Sequence, residues 1–267
     1  MNRGQPVIQV EDMVKRFGHF TANDHLNFEV FQGEIFGFLG ANGAGKTTAI
    51  RILCGLSLPT SGKIHVAGYD VYRDREKIKK SIGYMSQKFS LYEDLKVYEN
   101  IRFYAGIYGL GLTFIKRRTD QLLEKLGLEY ARNKLIKDLP LGWRQKLAFS
   151  VAIFHNPKIV FLDEPTSGVD PITRRQFWEL IYEAGNEGIT VFVTTHYMDE
   201  AEYCDRVAIM DQACIEAIGT PADLKEKFGA EDMNQVFLKI ARHQRRNFTD
   251  SPPIDFPLSP EGGRTGG

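Results

Sequence analysis

A chain of 267 residues is long enough for one large α/β domain, or for a core with a small subdomain. Apolar residues at 43% and charged residues at 25% are ordinary for a globular protein, and 34 Lys+Arg balance 34 Asp+Glu, so nothing indicates a strongly basic nucleic-acid surface. Cys54, Cys204 and Cys214 are scattered and odd in number, and the six histidines are dispersed, which fits neither a disulfide framework nor a zinc site.

From Met1 to Phe20 charges occur throughout with no apolar core, so no signal peptide is expected there. No stretch approaches the roughly 18–20 apolar residues of a bilayer span, so work at a membrane would need a partner. Val7–Val10 and Leu26–Val30 alternate apolar and polar residues, as half-buried antiparallel strands do. Glu34–Leu39 is a more continuous apolar run, the pattern of a strand covered on both faces. A glycine-rich loop follows, then a helical stretch over Lys46–Leu53, a turn at Leu58–Gly62 and a short strand at Ile64–Val66. From about Val97 to His155 the pattern is helical, with Ile101, Tyr104, Ala105 and Tyr108, then Leu122 and Leu126, at helical spacing. Gly106, Gly109 and Gly111 interrupt it.

Strands return at Ile159–Leu162 and Thr190–Thr195 around a helix over Pro171–Ala184, which predicts a parallel strand–helix–strand unit. Arg206–Met210 and Ala213–Ala217 follow as a strand pair, and Pro221–Phe228 as a helix. The predicted organisation is an α/β core over 1–88 and 156–220 with an antiparallel β subdomain, a helical subdomain over 89–155, an appendage over 221–241 and a disordered tail over 242–267. The tail is rich in Pro and Gly, and its Arg245-Arg246 pair could touch lipid headgroups or simply be solvated.

Gly40-Ala41-Asn42-Gly43-Ala44-Gly45-Lys46-Thr47 fits the pattern Gly, four free positions, Gly, Lys, then Ser or Thr. Such glycines let backbone N–H groups wrap a phosphate chain at a helix N-terminus. Lys46 then reaches the outer phosphates as a point charge, Thr47 offers a hydroxyl to Mg²⁺, and Thr48 donates near the α-phosphate. Many nucleotide enzymes use such a loop. Lys158–Glu164 is an apolar strand ending in two carboxylates, at the end of a sheet strand where ligands bind. There Asp163 suits Mg²⁺ and Glu164 suits general-base activation of water.

Asp163-Glu164-Pro165-Thr166-Ser167-Gly168-Val169-Asp170 resembles the joined Walker B and D-loop of ABC (ATP-binding cassette) ATPases. Other stations match in the same order, over roughly Val7 to Phe228. The resemblance implies a P-loop NTPase core of RecA type, with the antiparallel β subdomain and helical insert of those cassettes. It implies that Gln87 senses the γ-phosphate and Mg²⁺, that His196 is the switch histidine, that Phe17 stacks on adenine, and that Asp170 communicates across a cassette dimer. It also implies ATP hydrolysis, integral membrane permease partners and a peripheral place on the inner face of the cell membrane. Lys88–Asn100, rich in aromatic and acidic residues, lies where the family receives a short helix of the membrane subunit. The closest style is that of type-2 exporters.

One station departs. Where the family reads Leu-Ser-Gly-Gly-Gln, this chain reads Leu139-Pro140-Leu141-Gly142-Trp143. The family's serine donates to the γ-phosphate held by the facing cassette, and Pro140 has neither hydroxyl nor N–H. Losing one such donor typically costs about 2.7–4 kcal/mol in rate. The resemblance therefore favours a heterodimer over a homodimer, because the altered motif faces the partner's ATP. Two other readings stay open: a regulatory cassette that barely cleaves ATP, and a cassette acting on DNA or ribosomes. The latter usually carries long coiled coils or tandem cassettes, neither of which is visible here.

Overall fold

The computed structural model describes residues 5–87 and 91–249, with side chains to residue 241. Strands β1 (Pro6–Phe17), β2 (Phe20–Phe31), β4 (Ser61–Val66) and β5 (Tyr69–Asp70) form an antiparallel sheet in the order β2-β1-β4-β5. The central sheet has six strands in the order β10-β9-β3-β8-β7-β6. These are β3 (Ile35–Gly40), β6 (Ile82–Met85), β7 (Ile159–Asp163), β8 (Thr190–Thr195), β9 (Arg206–Asp211) and β10 (Cys214–Gly219). Strands β9, β3, β8, β7 and β6 run parallel, and β10 returns antiparallel along the edge.

Every residue of β3, β7 and β8 is buried, the outcome expected of apolar runs covered on both faces. One face packs on the antiparallel sheet and on α1 (Lys46–Leu53). Phe28 there lies 5.5 Å from Phe38, and Phe38 lies 5.3 Å from Phe192. The other face packs on α5 (Leu141–Ala152) and α6 (Pro171–Asn186), where Phe149 meets Phe177 edge-on at 5.4 Å. With α2 (Arg75–Ser81) between β5 and β6, this is the expected P-loop architecture: a mixed α/β fold with parallel and antiparallel sheets.

Strands β1 and β2 each run twelve residues, well beyond the four or five that alternation predicted. Asp12 and His25 take φ of 57° and 49°, and the register shifts between Val10 and Met13. Each irregularity resets which face a side chain occupies, so period-2 alternation breaks while the pairing continues. Strand β6 is four residues long and sits at the sheet edge, too short to signal itself by pattern.

The helical stretch resolves into α3 (Val97–Ile107), α4 (Leu112–Leu126) and α5, with 3₁₀ turns at Glu129–Ala131 and Ile136–Asp138. Of the interrupting glycines, Gly109 and Gly111 form the α3–α4 turn, with Gly111 capping α4, whereas Gly106 lies in the last turn of α3. At the C-terminal end, α7 (Pro221–Phe228) is capped by the Thr220 hydroxyl, and α8 (Met233–Thr249) follows. The expected tail boundary at 242 is corrected: α8 is helical through Thr249. Its apolar positions Met233, Val236 and Ile240 pack on the core in helical register, which carries the helix past the point where composition turns basic. The remainder of the tail, from residue 250, lies outside the described residues.

Candidate functional site

The C-terminal ends of β3, β7 and β8 lie side by side, which brings Gly40, Asp163 and Thr195 to one edge of the sheet. From Gly40 the chain turns through Asn42, Gly43 and Ala44 into α1. Gly45 caps this helix at φ 105°, and a Cβ there would stand 2.1 Å from the Ala22 carbonyl oxygen, so only glycine fits. Helix α1 carries no acidic residue in its first turn, which leaves its N-terminal partial charge uncancelled. A cavity of about 350 Å³ opens above it, lined by loop and helix residues Asn42, Gly43, Gly45, Lys46, Thr47 and Thr48, and by Phe20, Gln87 and Glu164.

Lys46 is 4% exposed. Its ammonium donates to the carbonyls of Gly40 at 2.7 Å and Ala41 at 3.0 Å, and lies 3.4 Å from Oε1 of Glu164. Burial lowers its pKa, and the neighbouring Glu164 works against that shift. A cation held in this way by backbone carbonyls stays aimed at the cavity floor.

Asp163 is 1% exposed and accepts hydrogen bonds from Thr194 Oγ1 at 2.9 Å and Thr47 Oγ1 at 3.2 Å. Burial pushes its pKa up, and those two hydroxyls hold it down. A buried carboxylate whose charge burial opposes, bonded to the Thr47 hydroxyl at the phosphate loop, is a pair of hard oxygen donors that fits Mg²⁺. Among the described residues no cluster of three or more His, Cys, Asp or Glu forms a metal site of other chemistry.

Glu164 sits at φ 49°, a left-handed conformation that costs a non-glycine residue on the order of 1–3 kcal/mol. Its N–H is anchored by the carbonyl and hydroxyl of Thr194 at 3.2 and 3.0 Å. This turn directs the side chain to Gln87, whose Nε2 donates to Oε2 at 3.0 Å, and to His196, whose Nδ1 lies 3.0 Å from the same oxygen. The His196 ring also lies tilted against Tyr197, with centroids 4.1 Å apart.

Phe17 closes the β1–β2 hairpin opposite Phe20, is 55% exposed, and carries Lys15 Nζ over its ring at 4.7 Å. The cavity is lined by Phe20, not Phe17. Both rings flank a two-residue turn, so sequence spacing alone does not choose between them. Asp170 caps α6, accepting from the N–H groups of Ile172 and Thr173 at 3.0 Å and from Thr173 Oγ1 at 2.6 Å. The hydroxyl and these amides hold its carboxyl below the usual range.

The Leu139–Trp143 stretch lies apart from this cavity. Pro140 caps α5 at φ −54° without a side-chain cap, and its carbonyl accepts from the N–H groups of Trp143 and Arg144. The N–H groups of Leu141 and Gly142 head that helix, where no intrahelical acceptor exists for them. Trp143 lies under Lys146 at 4.7 Å. Gln145 ties α5 to the loop after β7, donating to the Ser167 carbonyl at 3.3 Å.

Sequence reasoning missed Thr194, Phe20 and a buried cluster behind the site. Glu200, fully buried, accepts from Thr166 Oγ1 at 2.6 Å and lies 3.6 Å from Arg174 Nε. Arg174 in turn stacks on Tyr197 at 3.9 Å. No local pattern marks these residues. Of the Lys88–Asn100 stretch, residues 88–90 lie outside the described residues. Tyr92 beyond them is half exposed and packs edge-on against Phe103 at 5.0 Å.

The family model for the ABC transporter matches residues 23–167, more than half of the chain. The chain is 46% identical over 242 residues to an Escherichia coli K12 protein described as "Probable multidrug ABC transporter ATP-binding protein YbhF". The match covers 89% of this chain and 42% of that protein, so the chain spans less than half the length of this relative. It is 36% identical over 231 residues to the Bacillus subtilis linearmycin resistance ATP-binding protein LnrL, covering 86% of this chain and 74% of that one. A solved ATP-binding subunit of an ABC transporter superposes with a TM-score of 0.80 at 28% identity, over 88% of this chain and 99% of that one. With the phosphate loop and the Asp163–Glu164 pair meeting at one sheet edge, the chain belongs to the ABC transporter family, as one of its ATP-binding cassettes.

Proposed function

We propose that this chain hydrolyses Mg-ATP to drive export of a substrate through a separate membrane permease, working on the cytoplasmic face of the membrane. The observation that carries the reading is the convergence of Lys46, Gln87 and His196 on Glu164, beside Asp163, at the mouth of the phosphate loop. Backbone N–H groups from Asn42 to Thr48 cradle the phosphates, and Lys46 balances charge on the outer ones. Thr47, Asp163 and Gln87 would hold Mg²⁺, which would neutralise charge developing on the phosphate oxygens. Glu164 takes a proton from the attacking water as oxygen bonds to the γ-phosphorus and the bond to ADP breaks. His196 orients that carboxylate and contacts the γ-phosphate. An aromatic ring of the β1–β2 hairpin, Phe17 or its partner Phe20, stacks on the base.

In the same reading a second cassette closes on this one, with the Leu139–Trp143 segment against the partner's nucleotide and Asp170 at the joint. Pro140 removes one donor there, leaving the N–H groups of Leu141 and Gly142, which favours a heterodimer whose partner carries an unaltered motif. Pro140 also keeps a weakly hydrolysing regulatory cassette in view, and the placement of Glu164 speaks against it. The test is steady-state phosphate release with Mg-ATP, by the chain alone and by its complex with the permease. Turnover in the complex that falls about 10²-fold or more in Glu164→Gln, with Mg-ATP binding retained, supports the reading. Undiminished turnover in that variant, or no binding of Mg-ATP by the wild type, overturns it. Robust turnover by the chain alone removes the need for a different partner.

A further inference from the structure

From Phe103 to Ile115 the chain reads Phe-Tyr-Ala-Gly-Ile-Tyr-Gly-Leu-Gly-Leu-Thr-Phe-Ile, with no charged residue. This segment is the tip of the α3–α4 hairpin; Tyr104, Tyr108 and Leu110 turn inward, while four large apolar side chains face outward. Ile107 is 61% exposed, Leu112 65%, Phe103 43% and Phe114 37%. Only Ala105 and Ile115 within it are buried. Hiding a single one of these large side chains from water is worth about 1.5–3 kcal/mol, so four exposed on one tip mark a surface that meets something apolar.

The flanks of the tip are basic. Arg102 precedes it and Lys116, Arg117 and Arg118 follow, with no carboxylate between Glu99 and Asp120. Arg118 lies over the rings of Phe114 and Phe154. Arg102, Lys116 and Arg117 make no ion pair among the described residues. Behind Leu112, a notch of about 240 Å³ is lined by Tyr98, Arg102, Leu112, Ile115, Lys116 and Arg132. Two acids border it. Asp120 pairs with Arg132, and Glu99 accepts from the Tyr98 hydroxyl at 3.2 Å. Arg102 and Lys116 are left as its free cations.

We infer that the α3–α4 tip rests in the interface of an anionic phospholipid bilayer, with the notch taking a lipid phosphate. Apolar side chains at the end of a hairpin with cations set just behind them are the arrangement that buries side chains at the headgroup boundary while ammonium and guanidinium groups reach lipid phosphates. Charge decides for lipid over an apolar protein groove. A protein groove gains nothing from three unpaired cations around it, whereas each cation near an anionic leaflet strengthens attachment. The contact would hold the cassette against the membrane beside its permease, at a point separate from the nucleotide site.

The test is co-sedimentation of the full chain with vesicles of phosphatidylcholine alone and of phosphatidylcholine with phosphatidylglycerol. Partition is expected into the anionic vesicles only, weakening as salt rises. Ile107→Glu with Leu112→Glu, and separately Arg102→Glu with Lys116→Glu, should each lower partition about tenfold or more, with unchanged thermal unfolding and Mg-ATP binding. In the second arm, a Leu112→Trp probe should lose fluorescence to brominated acyl chains in the membrane-embedded complex. No partition into anionic vesicles, equal partition into neutral ones, variants that partition like wild type, or a Trp probe shielded by protein would each overturn the inference. The vesicle measurement needs neither hydrolysis nor a permease, so its failure and that of the transport reading are separable.

Discussion

The hydroxyl of Thr166 donates to the fully buried carboxylate of Glu200 at 2.6 Å. Thr166 lies two residues beyond Glu164, so this bond pins the segment that follows the Glu164 carboxylate. Glu200 also holds Arg174, whose guanidinium covers the ring of Tyr197 beside His196. Cutting Glu200 to Ala strands the buried Thr166 hydroxyl and leaves the partly exposed Arg174 guanidinium with Asp199 at 3.6 Å as its remaining carboxylate. A loss of about 1–3 kcal/mol is expected, mainly from the unsatisfied hydroxyl. Glu200→Gln keeps an acceptor for Thr166 and should lose less than half of that. Urea unfolding of both variants checks the order, and equal losses would contradict it.

Lys46 is held in place at an energetic cost. Burial disfavours its charge, and Glu164, Asp163 and two carbonyls compensate. Lys46→Met replaces it with a similar length of apolar chain. The melting temperature should stay level or rise, while affinity for Mg-ATP drops by roughly 1.5–3 kcal/mol, about ten- to a hundredfold. Calorimetry with and without Mg-ATP measures both. A variant that melts well below wild type would show that Lys46 is structural.

Gly142 packs on the first turn of α6. A Cβ at this position would stand 2.4 Å from Cγ2 of Thr173. Gly142→Ala should therefore destabilise by about 1–3 kcal/mol through overpacking. Adding Thr173→Ser removes that methyl and keeps the hydroxyl that bonds Asp170. The double variant should recover most of the loss, giving a coupling energy near 1 kcal/mol or more in a double-mutant cycle. Additive losses would mean that the close approach is not the cause.

His155 stacks on Tyr108 with centroids 3.4 Å apart, and one ring nitrogen faces the Ile82 carbonyl at 3.1 Å. Burial lowers its pKa to about 4 from 6.5. Between those values the unfolded chain binds a proton that the folded chain does not. The contribution is thus complete above pH 6.5 and is lost as pH falls toward 4. Allowing for partial solvent screening, the loss is about 1–2 kcal/mol. His155→Phe should narrow the difference in melting temperature between pH 7 and pH 5, and an unchanged difference would remove His155 as the source.

Chain-local chemistry was enough to specify the phosphate loop. Gly40 through Thr47 is contiguous, and a strand end, a left-handed Gly45 and a helix start are all encoded within a few residues. The same holds for the buried strands β3, β7 and β8, whose unbroken apolar runs state their own environment. The helix boundaries at Asp170-Pro171 and Thr220-Pro221 are likewise written in capping residues. Tertiary structure alone decided the rest. Gln87 and His196 stand 77 and 32 residues from Glu164, and they meet it only because β6, β7 and β8 lie in parallel register and end together. Phe20 rather than Phe17 lines the cavity although both flank the same turn, and Glu200 finds Thr166 across 34 residues. Such contacts depend on which strands become neighbours, and periodicity along the chain carries no record of that.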